Sequence, residues 1–138
     1  MSDFNLEQAN EGDLLPSINL EAIAHMDLVR YAGASGDFNP IHTDPNKAVE
    51  FGLDGTIAHG MYIMGLLSRV VTNVASPKQI KSYGVKFRGM TTPGEQLVLG
   101  GKVKKIKDIE GTKTIILSVD AKNSEGEIKV SGEAVCTP

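Results

Sequence analysis

The chain has 138 residues, 41% hydrophobic and 22% charged, with a net charge of −3 and a pI near 5.6. That length supports one hydrophobic core and is too short for two, so residues 1–138 are read as a single domain. The acidic balance excludes the general electrostatic footprint of a nucleic-acid binder, and the one cysteine, Cys136, excludes an internal disulfide.

Residues 1–15 are acidic and lack the basic and apolar regions of a signal peptide, which predicts a cytoplasmic protein. Residues 1–11 read as an extended lead-in, and Gly12 to Asn19 as a short strand. Asn19 is a candidate N-cap for a helix from about Leu20, with Glu21 in its first turn. Ala22, Met26, Val29 and Ala32 would form its apolar face, and the Gly33 to Gly36 region would end it. Pro40 biases Asn39 away from helix, so Asp37 and His42 are placed on an irregular loop. Asp44 and Pro45 read as N-cap and first residue of a short helix that stops at Gly52. A turn from Gly52 to Thr56 follows.

From about Gly60 to Ala75 the chain is apolar on most of a helix circumference. Met61, Met64, Leu67, Val71 and Val74 share one face, and Ile63, Leu66 and Val70 widen it. Gly65, Ser68, Arg69, Thr72 and Asn73 leave only a narrow small or polar face. Such a helix needs covering on nearly every side, yet Arg69 and Asn73 interrupt it too soon for a membrane span. Beyond Pro77 the pattern alternates as strands do, over Ile80–Arg88, Glu95–Ile109, Thr112–Asn123 and Ile128–Thr137. A bulge is expected around Val98, Gly100 and Lys102. Turns at Thr92-Pro93-Gly94, Glu110-Gly111 and Ser124-Glu125-Gly126 suit antiparallel neighbours. The predicted fold is α+β, a curved antiparallel sheet of four or five strands wrapped around one long helix.

Two places carry chemistry. Asp37 and His42 stand five residues apart across a proline-stiffened turn, and a carboxylate and an imidazole so placed can share one water and move protons both ways. Spacing alone equally allows a turn in which Asp37 caps amides and His42 is a satisfied buried side chain. At His59-Gly60 a glycine at a helix start offers an N–H at the positive end of the helix dipole, where an oxyanion could be held. A glycine kept for packing is the alternative. Ser68 lies about two turns further on and within a quarter turn of Gly60 in azimuth. It could orient a substrate group, although back-bonding to the preceding turn is the commoner use. Asp37, His42, Asp44 and His59 make a weak metal constellation without cysteine or a His-x-x-x-His pair, and no metal is expected. Lys78, Lys81, Lys86, Arg88, Lys102, Lys104, Lys105 and Lys107 form the one basic concentration. They are read as solvated strand faces, with a landing site for phosphates or an acidic carrier protein as the alternative.

The ordered run Tyr31-Ala32-x-x-Ser35-Gly36-Asp37-Phe38-Asn39-Pro40-Ile41-His42-Thr43-Asp44-Pro45, followed by Ile57-Ala58-His59-Gly60-Met61, resembles the MaoC-like hydratases and dehydratases. The resemblance spans nearly the whole chain. It extends to the catalytic subunit of mycobacterial-type heterodimeric acyl-carrier-protein dehydratases. It implies a single hotdog fold, dimeric, and (R)-specific hydration of trans-2-enoyl thioesters or the reverse dehydration, in fatty-acid or polyhydroxyalkanoate metabolism. It implies Asp37 and His42 as the catalytic pair, Gly60 as the oxyanion glycine, and Asn39 and Ser68 as supporting residues. Gly65 and Met64 would border the acyl tail. No cofactor is implied, since coenzyme A or acyl-carrier protein arrives with the substrate. The partner would be an identical chain or a related hotdog subunit. The rivals are a hotdog thioesterase and a non-catalytic subunit of a heterodimeric dehydratase.

Overall fold

Alternation with a period of two is cleanest from Thr112 to Lys122, and in the computed structural model, which describes residues 2–138, this segment is the middle strand of one antiparallel sheet. Five strands make the sheet: β1 (Ile18–Asn19), β2 (Ile80–Phe87), β3 (Val98–Ile109), β4 (Thr112–Lys122) and β5 (Ile128–Cys136), in the order β1-β3-β4-β5-β2. Ile115, Leu117, Val119 and Ala121 of β4 are fully buried, as a half-buried strand requires. The β3–β4 turn places both Glu110 and Gly111 at positive φ (53° and 81°), the conformation that matches the twist of a tight hairpin. The bulge falls between Val103 and Lys105 instead of near Gly100, and β3 starts at Val98 instead of Glu95.

The curl of the sheet has a local cause. Gly101, Val119, Gly132 and Val85 lie side by side across four strands. A Cβ on Gly101 would run into the Ser118 carbonyl, and one on Gly132 into the Gly84 carbonyl. Two missing side chains in one cross-strand row let the strands coil closely there.

Helix α4 (Gly60–Thr72) lies in the concavity and touches β2, β3, β4 and β5. At 13 residues it would be marginal alone in water. Ile63, Leu67, Val70 and Val71 are buried, and each contributes about 1.5–3 kcal/mol by leaving water, so packing holds the helix. The Tyr83 hydroxyl of β2 donates to the Met64 carbonyl at 2.7 Å, and burial pushes its pKa up to about 12. The phase differs from the predicted one. Met61 is 58% exposed, and Gly65, Arg69 and Thr72 are also exposed, so one sheet sheathes only about half the helix. A segment apolar all round gives no signal of which half faces the sheet.

The N-terminal part departs most from expectation. Leu6–Gln8 form a 3-10 turn with Leu6 and Ala9 buried, so the lead-in is anchored; Met1 lies outside the described residues. Asn19 caps no helix. It pairs with Val98 in β1, and the Leu20 and Ile23 amides donate to the Leu97 and Glu95 carbonyls, which keeps the chain extended. Helix α1 (His25–Ser35) starts only where the Asp27 carboxylate can accept from the Ala24 amide. It buries Leu28 and Ala32 and leaves Met26 and Val29 exposed, because the later start changes which edge meets the core. Two short helices follow, α2 (Pro40–Thr43) and α3 (Pro45–Glu50). The Asp44 carboxylate accepts from the Asn46 and Lys47 amides, so Asp44 and Pro45 start α3 as the sequence predicts. His42 therefore sits in a helical turn and not on an irregular loop.

Candidate active site

Helix α1 ends on Gly36, whose φ of 78° turns the chain sharply. The next residues are locked by short-range bonds. The Asp37 amide donates to Ser35 Oγ, Asp37 Oδ1 accepts from the Asn39 amide, and Asn39 Oδ1 accepts from the Ile41 amide, capping α2. Pro40 takes the first helical position, where its missing N–H costs nothing. One helical turn then carries His42 inward. Its Nδ1–H donates to the Ile57 carbonyl at 2.7 Å, which leaves Nε2 as the working nitrogen. Nε2 stands 3.9 Å from Asp37 Oδ2. That is long for a direct hydrogen bond and suits two groups that share one water, each about 2.8 Å from it. The His42 side chain is 10% exposed and that of Asp37 is 52%, so the pair sits at a mouth, with the imidazole inside and the carboxylate at the rim.

His59 completes the constellation. Its ring stacks on His42 with centroids 3.9 Å apart at 23°, and its Nε2–H donates to the Asp37 carbonyl at 3.1 Å. Burial lowers its pKa; the hydrogen bond to the Asp37 carbonyl acts the other way, and the neighbouring His42 lowers it further. A neutral His59 is therefore a wall and a strut, leaving the proton chemistry to its neighbours. Tyr31 meets the His59 ring edge-on at 4.8 Å and stacks on Tyr62 at 5.2 Å. Gly60 opens α4 directly after His59, and its N–H has no partner among the described residues. An N–H at a helix start carries the positive end of the helix dipole. The Phe87 ring lies 3.0 Å from where a Gly60 Cβ would be, so any larger residue would have to displace that ring.

The structure thus gathers Asp37, Asn39, His42 and Gly60 and leaves three expected residues apart. The Ser68 hydroxyl donates to the Gly65 carbonyl at 2.6 Å, within its own helix. Ser68 lies about 12 Å along α4 from Gly60, from the helical rise. Gly65 is exposed, and a Cβ there would meet nothing within 4 Å. Met64 engages the Tyr83 hydroxyl through its carbonyl. Asp37, His42 and His59 each offer an atom within 4.8 Å of the others. His42 Nδ1 and His59 Nε2 are already committed to the backbone carbonyls of Ile57 and Asp37. His59 and Tyr31 stand in the quoted signature without a role; stacking between rings 17 and 28 residues apart in sequence leaves no local trace.

Residues 11–125 match the MaoC like domain family. Fatty acid synthase beta subunit TOXC of Cochliobolus carbonum is 37% identical over 112 residues, which cover 78% of this chain and 5% of that protein. The chain is thus about a twentieth of the length of that relative. Among solved structures, the ChsH1–ChsH2 complex from Mycobacterium tuberculosis superposes with a TM-score of 0.81 and 26% identity, over 95% of this chain and 100% of the matched one. The R-hydratase PhaJ1 from Pseudomonas aeruginosa gives 0.80 and 25%, over 96% and 84%. The wrapped sheet, the Asp37–His42 turn and a match over most of its length identify this chain as a member of the MaoC like domain family.

Proposed function

We propose that the chain catalyses the reversible addition of water to trans-2-enoyl thioesters of coenzyme A or acyl-carrier protein, giving (R)-3-hydroxyacyl thioesters. The observation that carries this reading is the 3.9 Å gap between Asp37 Oδ2 and His42 Nε2, beside the free Gly60 N–H. Similarity to fatty acid synthase beta subunits and to an R-hydratase supports the substrate class.

Water held in the gap attacks C3 and gives its proton to the Asp37 carboxylate. The C2=C3 electron pair moves toward the thioester, and the enolate-like oxygen takes the Gly60 N–H, an interaction worth about 3–4 kcal/mol for one preorganised donor. C2 then collects a proton from His42 Nε2–H. Because Nδ1–H is committed to the Ile57 carbonyl, His42 delivers that proton only as an imidazolium and returns to the neutral form. Passage of the proton from Asp37 back to His42 resets the pair. No metal or organic cofactor enters these steps.

The test uses crotonyl-CoA and follows the enoyl absorbance and free thiol in parallel. Loss of the enoyl band without thiol is expected; thiol release would mark a thioesterase, and neither signal a non-catalytic subunit. Asp37→Asn should lower the rate by roughly 10²–10⁴-fold, the range for a general acid or base. His42→Ala should lose a similar amount, and the double variant little more, since the pair works as one unit. An Asp37→Asn protein within tenfold of wild type at equal thermal stability would sink the assignment.

A further inference from the structure

Lys129, the second residue of β5, is among the most buried charged groups of the fold, with its side chain 5% exposed. A buried ammonium is tolerated only when its donors are satisfied. Here all three N–H bonds of Nζ have an acceptor: the Met90 carbonyl at 2.8 Å, Glu95 Oε1 at 3.1 Å and Glu127 Oε1 at 3.1 Å. The carboxylates are held in turn. Asn123 Nδ2 donates to Glu95 Oε1, and the Thr92 amide donates to Glu95 Oε2. The Met90 carbonyl has no partner but Lys129 among the described residues.

What this cluster grips is the link between β2 and β3, residues 88–97. One residue after Met90, the carbonyl of Thr91 accepts the Ala58 amide at 2.7 Å. Ala58 immediately precedes His59, which stacks on His42 and holds the Asp37 carbonyl, and Gly60 follows with its N–H unpartnered among the described residues. Phe87, the last residue of β2 and just before this link, supplies the ring beside Gly60. An apolar side chain of similar volume is often as stabilising as a buried ion pair. A three-acceptor ammonium at this place instead fixes one backbone carbonyl in one position.

We infer that Lys129 is a positioning residue for the active site: through Met90 and Thr91 it sets the place of Ala58, and so of His59 and the Gly60 N–H. The inference rests on the hydratase reading for its kinetic consequence, while its structural consequence stands apart from any activity. Displacements of about 1 Å in a reacting geometry cost about 10²-fold in rate.

The experiment compares wild type with Lys129→Met, Lys129→Arg and the double variant Lys129→Met/Glu95→Gln, which removes the stranded carboxylate charge should the single change not fold. Val103→Ala, a core change away from the link, serves as a control for plain destabilisation. Two readouts are taken: kcat and KM on crotonyl-CoA, and amide hydrogen exchange at Ala58 against Leu117 in β4. The expected result is a kcat lower by about 10²-fold with KM within about threefold. Ala58 exchange should be at least tenfold faster while Leu117 is unchanged. Arg, which keeps the charge without the tetrahedral set of donors, should recover only part of the loss. Equal acceleration at Ala58 and Leu117, or a kcat loss matched by Val103→Ala, would make Lys129 a general stabiliser and overturn the inference. Unchanged kcat in a folded Lys129→Met protein would overturn it as well. If wild type proves inactive, the hydratase reading fails and the exchange at Ala58 alone decides the positioning role.

Discussion

Among the residues of the site, His59 is held by two rings and a backbone carbonyl and takes no part in the proposed proton transfers. Its ring is sandwiched between His42 and Tyr31, and its one donor is spent on the Asp37 carbonyl. Burial favours its neutral form, so the folded pKa lies below the ordinary value of 6.5. The unfolded chain then binds a proton that the folded chain resists, and stability must fall as the pH drops from about 6.5 through the lowered folded value. We expect the melting temperature to decline over that window, and His59→Phe, which keeps the ring and loses the titration, to flatten the slope. Parallel profiles for the two proteins would show that His59 does not contribute. Reading the sequence singled out Asp37, His42 and Gly60 because turn chemistry and a resemblance converge on them. It gave His59 only a place in a weak metal constellation and Lys129 no role, since their parts depend on partners 17 to 39 residues away.

The elements were legible to different degrees, for identifiable reasons. β4 and β5 alternate against one core, so period and burial agree, and their ends fall within one residue of expectation. α1 was misplaced because Asn19 is a good local cap, while the pairing that overrides it lies on β3, far along the chain. For α4 the existence was plain and the phase was not. Its stripe of exposed Met61 and Gly65 and half-buried Ser68 gives the proposed acyl tail a path that starts at Gly60. A leucine at position 65 meets open space in a single chain, and helix propensity favours it over glycine. Gly65→Leu should therefore fold while restricting the enzyme to short substrates. At about 0.8 kcal/mol per excluded methylene, the ratio of kcat/KM for four-carbon over eight-carbon enoyl thioesters should rise by about two orders of magnitude. An unchanged ratio in a folded variant would place the tail elsewhere.

Over the whole molecule, the sheet ends in two unequal edges. β1 is only two residues long, whereas β2 offers eight residues bonded to β5 on one side only. Long open edges invite pairing, and beside this one stand the exposed side chains of Phe87, Met61 and Met90. We propose that a second copy of this chain pairs there and covers the open face of α4. Light scattering should give twice the chain mass at micromolar concentration; a fully active monomer would contradict the pairing. Among the described residues no helix is long and apolar enough to cross a membrane.

The order of elements along the chain has a consequence during synthesis. α4 is made before every strand that touches it, because β2, β3, β4 and β5 all follow it. Roughly 60 residues separate its end from the last of those strands, about 3–12 s at ordinary elongation rates of 5–20 residues per second. Over that interval the emerging chain carries Ile63, Leu67, Val70 and Val71 without the complete sheet that covers them. A ribosome stalled once α4 has emerged and before β3 follows would display this helix without its sheet, and in that interval the nascent polypeptide is most prone to aggregate and most in need of a chaperone.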